Sequence, residues 1–274
     1  MTTHSYKLLV VDIDGTLLDK YGNISAVDKE ALSKVVNLGI QVSLSTGRVV
    51  QASLQFIKQL SLDGHHMFFD GALVYSPKKD EEVYINPINN EIVGQMVDFA
   101  HLNGINLELF SKTHFFTERE TWVTDIRRRF FGLEPTILDL TKLGQNERII
   151  KGGVVVSSIE EKAKANDFRL HFKDHLNFFL TRTPAYPDID FYNVVAPDVS
   201  KGKALEALAS FLGISLTEVM AIGDGINDIP LLSSVGLAVA MDNASDELKA
   251  VADYVTLDVD NHGVAAAVNK FLLQ

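Results

Sequence analysis

The sequence contains no cysteine, which removes disulfide frameworks, thiolate nucleophiles and cysteine-ligated zinc or iron–sulfur centres from consideration. It also lacks an apolar run of about 18 residues, the length a membrane span requires. The segment from Met1 to Lys7 leads into a short apolar stretch interrupted by Asp12 and Asp14, not into the apolar core of a secretory leader. A cytoplasmic protein without a membrane partner is the expectation. Positive charge is in short supply: 25 Lys and Arg stand against 36 Asp and Glu, a formal net charge of −11. Nucleic-acid backbones are normally met by a basic stripe that releases counterions, so nucleic acid is not expected as a partner. No Gly-x-Gly-x-x-Gly or Gly-x-Ser-x-Gly occurs, and Gly202-Lys203 lacks the earlier glycine and the final hydroxyl residue of a P-loop. Internal repeats and low-complexity tracts are absent as well.

What is present is enough apolar material, 46% of 274 residues, to fill about two domain cores. Residues 7 to 13 form a nearly continuous apolar run, as expected of a central parallel strand buried on both faces. Ser25 to Leu38 reads as a helix, with Ser25 as its N-cap and Gly39 as its stop. A strand over Ile40 to Leu44, a helix over about 49 to 60 and a third apolar run at Met67-Phe68-Phe69 follow. The alternation returns near the C-terminus with a helix over Lys201 to Leu212 and strands at Val219 to Ile222 and Leu237 to Ala240. Repeated strand–helix units of this kind imply an α/β fold with a doubly wound parallel sheet, whose sites lie beyond the C-terminal strand ends. Between these halves the texture changes to alternating and aromatic-rich segments, which predicts an inserted α+β domain over 83–191 within a discontinuous core of 1–82 and 192–274. Its expected junctions are Ser76 to Asp80 and Thr183 to Pro187, where proline and turn residues concentrate.

Four loops carry the chemistry: Asp12-Ile13-Asp14-Gly15-Thr16, Thr46-Gly47-Arg48, Ser200-Lys201-Gly202 and Gly223-Asp224-Gly225-Ile226-Asn227-Asp228. Asp12 and Asp14 lie two apart, so within a strand both face one side, and Asp224 arrives from another strand end. Converging carboxylates repel one another unless a cation is present, and an all-oxygen cluster suits Mg²⁺. Lys201 in the first turn of a helix opposes the positive end of the macrodipole, so a negative group belongs beside it. A phosphate would satisfy Lys201, the Thr46 hydroxyl and nearby N–H groups together, with Gly15, Gly47 and Gly202 allowing close backbone approach. Two other clusters invite weaker readings. His65-His66 is not expected to form a metal pair, because adjacent side chains in an extended segment point to opposite faces. Arg127-Arg128-Arg129, beside Phe130-Phe131, reads as a solvated helix face.

In type and order, the four loops resemble the four motifs of the haloacid-dehalogenase-like hydrolase superfamily. The long insertion between the second and third motifs resembles the cap of the Cof-type sugar phosphatases, as do Ala238 to Ala244 and the late His262-Gly263-Val264. The resemblance implies a Rossmann-like parallel-sheet core with an inserted cap, and Mg²⁺-dependent hydrolysis of a small phosphorylated metabolite, sugar phosphates foremost. By motif, Asp12 would be the nucleophile and Asp14 the general acid and base. Asp12, the backbone carbonyl of Asp14 and Asp224 would hold the metal, with Asp228 behind them. Ile13, Thr46, Gly47, Lys201 and Asn227 would bind the phosphate, and Arg48 stands between a phosphate-side and a structural role. Phosphoryl transfer without net hydrolysis, as in the phosphomannomutases, and a non-catalytic phosphometabolite-binding protein are the alternatives. Asp70 stands where that subfamily usually has asparagine, and its carboxylate either alters substrate choice or caps a turn.

Overall fold

The apolar run after Lys7 folds as strand β1 (Leu8–Asp12), every residue of which is buried. The computed structural model describes residues 6–144, 146–183 and 186–273, so Met1 to Ser5 of the N-terminal segment, and Pro184 and Ala185 of the expected second junction, lie outside the described residues. From β1 the chain continues through α1 (Ala26–Asn37), β2 (Gln41–Ser45), α2 (Val50–Gln59), β3 (His66–Phe68), β4 (Leu73–Ser76) and β5 (Glu81–Ile85). A second stretch holds α3 (Asn90–Asn103), β6 (Leu107–Phe110), β7 (Phe115–Thr117), α4 (Trp122–Phe131), β8 (Pro135–Ile137), β9 (Lys151–Val156), α5 (Ile159–Phe172), β10 (Asn177–Thr183) and β11 (Tyr186–Val195). The chain then returns as α6 (Lys201–Leu212), β12 (Val219–Gly223), α7 (Ile229–Leu232), β13 (Leu237–Ala240), α8 (Asp246–Lys249), β14 (Tyr254–Val255) and α9 (Gly263–Phe271). Two compact units result: Met1–Arg48 with Ser53–Tyr84 and Ser200–Gln274, and Val49–Ala52 with Ile85–Val199.

The first unit carries an eight-stranded sheet in the order β14-β13-β12-β1-β2-β3-β4-β5. Pairing is parallel from β14 through β3, and β4 turns back antiparallel on β3. The order reverses at β1, which has β2 on one side and β12, late in the chain, on the other. That reversal opens the crevice at the carboxyl ends of these strands where α/β sheets bind ligands. Alternate residues of β1 feed different faces, with Leu8 and Val10 packing among Leu205, Leu208, Leu231 and Leu232 of the α6–α7 layer. Helix α1 begins where its cap predicts, Ser25 Oγ accepting the Asp28 N–H at 3.0 Å, and gives way at Gly39, φ +82°. Asp28 in turn accepts the Ala265 N–H at 2.8 Å and ties α1 to α9. Strand β1 ends one residue earlier than its apolar run. The Ile13 carbonyl accepts the N–H groups of Leu17 and Leu18, and Gly15 turns with φ +84°, so Asp14 lies beyond the ladder and does not share a strand face with Asp12.

The second unit is a six-stranded sheet, β10-β11-β9-β6-β7-β8, with α3 and α5 packed through Met96, Val97, Phe168 and Phe172 onto Leu107, Leu109 and Val194. The expected junctions at 82/83 and 191/192 fall inside β5 and β11. The reason is hydrogen bonding: β5 belongs to the larger sheet, and β11 stays paired with β9 and β10 as far as Val194 and Val195. On the other face, Glu108 is fully buried and receives a fork from Arg127, Nη2 to Oε2 at 2.6 Å and Nε to Oε1 at 3.2 Å. The Arg127 guanidinium also lies 5.4 and 5.6 Å from the ring centres of Phe110 and Phe191. The solvated-face reading of the arginine run therefore fails at Arg127, because Val123, Ile126 and Arg127 form the inward stripe of α4. Arg128 bridges Glu120 and Glu134, and Arg129 is exposed, while the Phe130 side chain lies outside the description. Among the described residues no helix is long and apolar enough to cross a membrane.

The two adjacent histidines have separate partners. Nε2 of His65 lies 2.9 Å from Oε2 of Glu81, and Nδ1 of His66 accepts the Leu44 N–H at 3.1 Å, leaving the buried Nε2 of His66 without a partner among the described residues. Burial, reinforced by His65, pushes His66 down from 6.5 to about 3. The unfolded chain therefore holds the extra proton throughout that window, so the contribution of His66 is complete above about pH 6.5 and drains as pH falls toward 3. Urea unfolding across pH 7 to 4 is expected to show stability falling with acid, by up to about 1.4 kcal/mol per pH unit from this residue. His66→Asn, whose amide oxygen can take the Leu44 N–H, should flatten that slope; an unchanged slope would refute the assignment. In the second unit, Glu108→Gln leaves a buried guanidinium without its counter-charge and is expected to cost about 3–5 kcal/mol, read from the unfolding transition. Replacing both partners, Glu108→Leu with Arg127→Met, should restore most of that loss.

Candidate active site

The site is built within the first unit from segments that leave the sheet at its carboxyl edge. Asp12 closes β1, and Asp224 and Asp228 follow β12; their carboxylates can each offer an oxygen within 4.8 Å of the others. Lys201 enters from the first turn of α6 and is almost wholly buried, at 1% exposure. Its Nζ donates to Oδ1 of Asp12 at 2.6 Å and to Oδ1 of Asp228 at 2.5 Å. The negative group that the helix position calls for is thus supplied by two carboxylates of the protein itself. The second oxygen of Asp228 accepts the N–H groups of Asp224 and Gly225 at 3.1 and 3.0 Å, which fixes the turn that presents Asp224.

Two residues without a role in the sequence reading complete this arrangement. Thr16 donates its hydroxyl to Oδ1 of Asp224 at 2.8 Å, and Asn243 donates from Nδ2 to the Gly15 carbonyl at 2.8 Å and to Oδ2 of Asp224 at 3.5 Å. Thr16 lies inside the first motif and Asn243 in the stretch before Ala244, but their contacts span 208, 228 and 19 residues and leave no local signature. The glycines also serve a different purpose from the one expected. A Cβ on Gly15 would lie 2.3 Å from Oδ2 of Asp224, one on Gly47 would lie 2.7 Å from Oδ1 of Asp70, and one on Gly202 would lie 2.5 Å from the Pro230 carbonyl oxygen. The space beside each is filled by the protein, so these glycines let the loops close on one another.

Asp14 stands apart from the buried cluster. Its side chain is 55% exposed, and Arg48 grips it through two donors, Nη2 to Oδ1 at 2.6 Å and Nε to Oδ2 at 2.8 Å. Thr46 is buried after β2, and its hydroxyl oxygen accepts the Arg48 N–H at 3.1 Å. Asn227, in the turn between Asp224 and Asp228, donates from Nδ2 to Oδ1 of Asp70 at 2.9 Å. The Ile13 side chain is buried and its carbonyl is occupied by the turn. Asp12, Asp224, Asp228 and Lys201 are therefore brought into one cluster, Thr46, Gly47, Asn227 and Asp70 are linked to one another nearby, and Asp14 is paired outward with Arg48.

Three carboxylates face one ammonium here, and the titration of the cluster reflects that excess. Burial pushes Asp12 well above the usual carboxylate range, Asp228 and Asp224 add to the rise, and Lys201 opposes it. Burial likewise raises Asp224 to about 6, against the Thr16 hydrogen bond, with Asp228 and Asp14 adding repulsion. Desolvation pulls Lys201 down, but Asp12 and Asp228 outweigh it and hold the ammonium above its ordinary value. A site with only oxygen donors and a surplus of negative charge suits a hard divalent cation.

Comparison with known proteins gives a consistent result. The phosphatase YwpJ of Bacillus subtilis (strain 168) is 27% identical over 285 residues, covering 97% of this chain and 100% of its own length. A haloacid dehalogenase-like hydrolase from Bacteroides thetaiotaomicron superposes with a TM-score of 0.84 at 26% identity, covering 97% of this chain and 99% of that one. A sugar phosphatase of HAD subclass IIB superposes with a TM-score of 0.78 at 25% identity, covering 97% and 98% respectively. The family model for haloacid dehalogenase-like hydrolases matches residues 9–268, and with that span the chain belongs to this family of hydrolases.

Proposed function

We propose that this hydrolase is a Mg²⁺-dependent phosphatase of small phosphorylated metabolites, sugar phosphates foremost, acting through a phospho-aspartate on Asp12. The observation that carries the reading is the buried Lys201, held 2.6 Å from Asp12 inside the acidic cluster of Asp224 and Asp228. One ammonium and one hard cation beside a carboxylate are what a nucleophile needs to approach an anionic phosphoryl group. Asp12 attacks phosphorus, its Oδ–P bond forming as the P–O bond to the leaving alcohol breaks. Asp14 protonates that alcohol and then takes a proton from the water that hydrolyses the acyl phosphate, returning Asp12 as a carboxylate and releasing orthophosphate. In that role Asp14 exchanges its Arg48 partner for the leaving-group oxygen. Lys201, Thr46, the Gly47 N–H and Asn227 neutralise and orient the phosphoryl oxygens. Asp12, Asp224 and the Asp14 carbonyl, with Asp228 behind them, would hold the divalent ion, whose charge would keep these carboxylates ionised and screen the phosphoryl group. The sugar assignment draws on the subclass IIB structural neighbour.

Orthophosphate release from a panel of sugar phosphates, nucleotides and phosphorylated cofactors is expected to require MgCl₂ and to stop on chelation. In Asp12→Asn, kcat should fall by roughly 10⁴-fold or more; full turnover by that variant would end the proposal, and isomerised sugar phosphate with little orthophosphate would point to a mutase. Asp14→Asn should lose about 10²–10³-fold with sugar phosphates but much less with p-nitrophenyl phosphate, whose leaving group needs no proton. Equal losses on both substrates would remove Asp14 from the acid–base role.

A further inference from the structure

Asp70 is a buried carboxylate of the first unit that the phosphatase reading leaves without a task. It follows β3 with φ +57°, directly after Phe69 at φ +55°, so two successive residues other than glycine adopt the left-handed conformation. Few such residues do so, and aspartate tolerates it better than most. The backbone of this turn is bonded to the Thr46-Gly47-Arg48 loop, Asp70 N–H donating to the Thr46 carbonyl at 3.0 Å and Phe69 N–H to the Arg48 carbonyl at 3.1 Å. The next residue, Gly71, packs so tightly on the Ser200 carbonyl that a Cβ would lie 2.3 Å from its oxygen.

The side chain is equally constrained. It lies against Gly47, where a Cβ would come within 2.7 Å of Oδ1, and that same Oδ1 accepts from Asn227. Asp70 also stands within electrostatic reach of Lys201, adding to Asp12 and Asp228. One carboxylate thus adjoins Gly47 and Asn227, two of the groups assigned above to the phosphoryl oxygens, and its charge is felt at a third, Lys201.

We propose that Asp70 is a positioning residue that fixes the Asn227 carboxamide and, through its charge, limits how tightly the pocket holds phosphate. This inference rests on the phosphatase reading. An Asn227 N–H committed to Asp70 sets the plane of the amide and the direction of its remaining donor. A fixed negative charge beside the phosphate-binding cations weakens the hold on orthophosphate, and so speeds product release.

Two substitutions separate the anchor from the charge. Asparagine accepts the left-handed backbone and keeps an amide oxygen for Asn227, so Asp70→Asn removes the charge alone; glycine also fits the backbone, and Asp70→Gly removes both. The full chain with MgCl₂ is assayed on p-nitrophenyl phosphate with inorganic orthophosphate as inhibitor. For Asp70→Asn the inhibition constant of orthophosphate is expected to fall about tenfold, with KM falling alongside. Asp70→Gly should in addition lose kcat by roughly threefold or more relative to Asp70→Asn, and should add no further loss on an Asn227→Ala background. An orthophosphate constant in Asp70→Asn within about twofold of wild type would overturn the charge role, and additive losses with Asn227→Ala would overturn the anchor. Melting temperatures verify folding; if the glycine variant does not fold, Asp70→Asn still decides the charge role and Asp70→Ala takes the place of glycine in the anchor test. A wild-type enzyme that releases no orthophosphate would instead remove the phosphatase reading, a result distinct from an active enzyme indifferent to Asp70.

Discussion

A single buried ammonium conditions the rest of the first unit. Lys201 at 1% exposure would lose its proton or unfold its surroundings were it alone, since removing such an ion from water costs several kcal/mol after relaxation. It stays charged because Asp12 and Asp228 both reach it, and those carboxylates come from the end of β1 and the turn after β12. The first turn of α6, the central strand and the strand beside it are therefore fixed by one requirement for charge neutrality. Neutrality is overshot: two carboxylates already exceed the one ammonium, and Asp224 joins the same cluster. The surplus of carboxylate, with Asp12 and Asp224 both pushed upward, marks a place where stability is given up locally and where a bound cation would restore it.

Much of this could be read from the chain because its signals are local. The alternation of strand and helix, the Ser25 cap, the glycine at position 39 and the short loops after apolar runs are each contained within a few residues, and the structure places these elements accordingly. The same holds for the lysine at the start of α6, whose conflict with the helix dipole signals a nearby anion before any partner is known.

What could not be read depends on partners far away in sequence. Asp14 leaves the face of Asp12 because a turn at Gly15 ends the ladder, and the apolar pattern continues past that point without marking it. Arg127 looks like one of three solvated arginines until Glu108, 19 residues away on β6, is seen beneath it. Composition shifts after 191, whereas hydrogen bonding carries β11 on to Val195. The glycines of the motif loops announce close approach, but sequence does not say what approaches; Asp224, Asp70 and Pro230 occupy the spaces beside Gly15, Gly47 and Gly202.

The separation of Asp12 from Lys201 by 189 residues sets an order of events during synthesis. A nascent chain emerging at about 5–20 residues per second exposes Asp12 roughly 10 to 40 seconds before its counter-ion is made. The inserted unit, nearly continuous in sequence from Ile85 to Val199, is complete in that interval, whereas the first unit cannot bury its central strand end without an uncompensated charge. The acidic cluster thus cannot close before α6 and the turn after β12 are made, and a chain truncated on the ribosome before α6 is left without it.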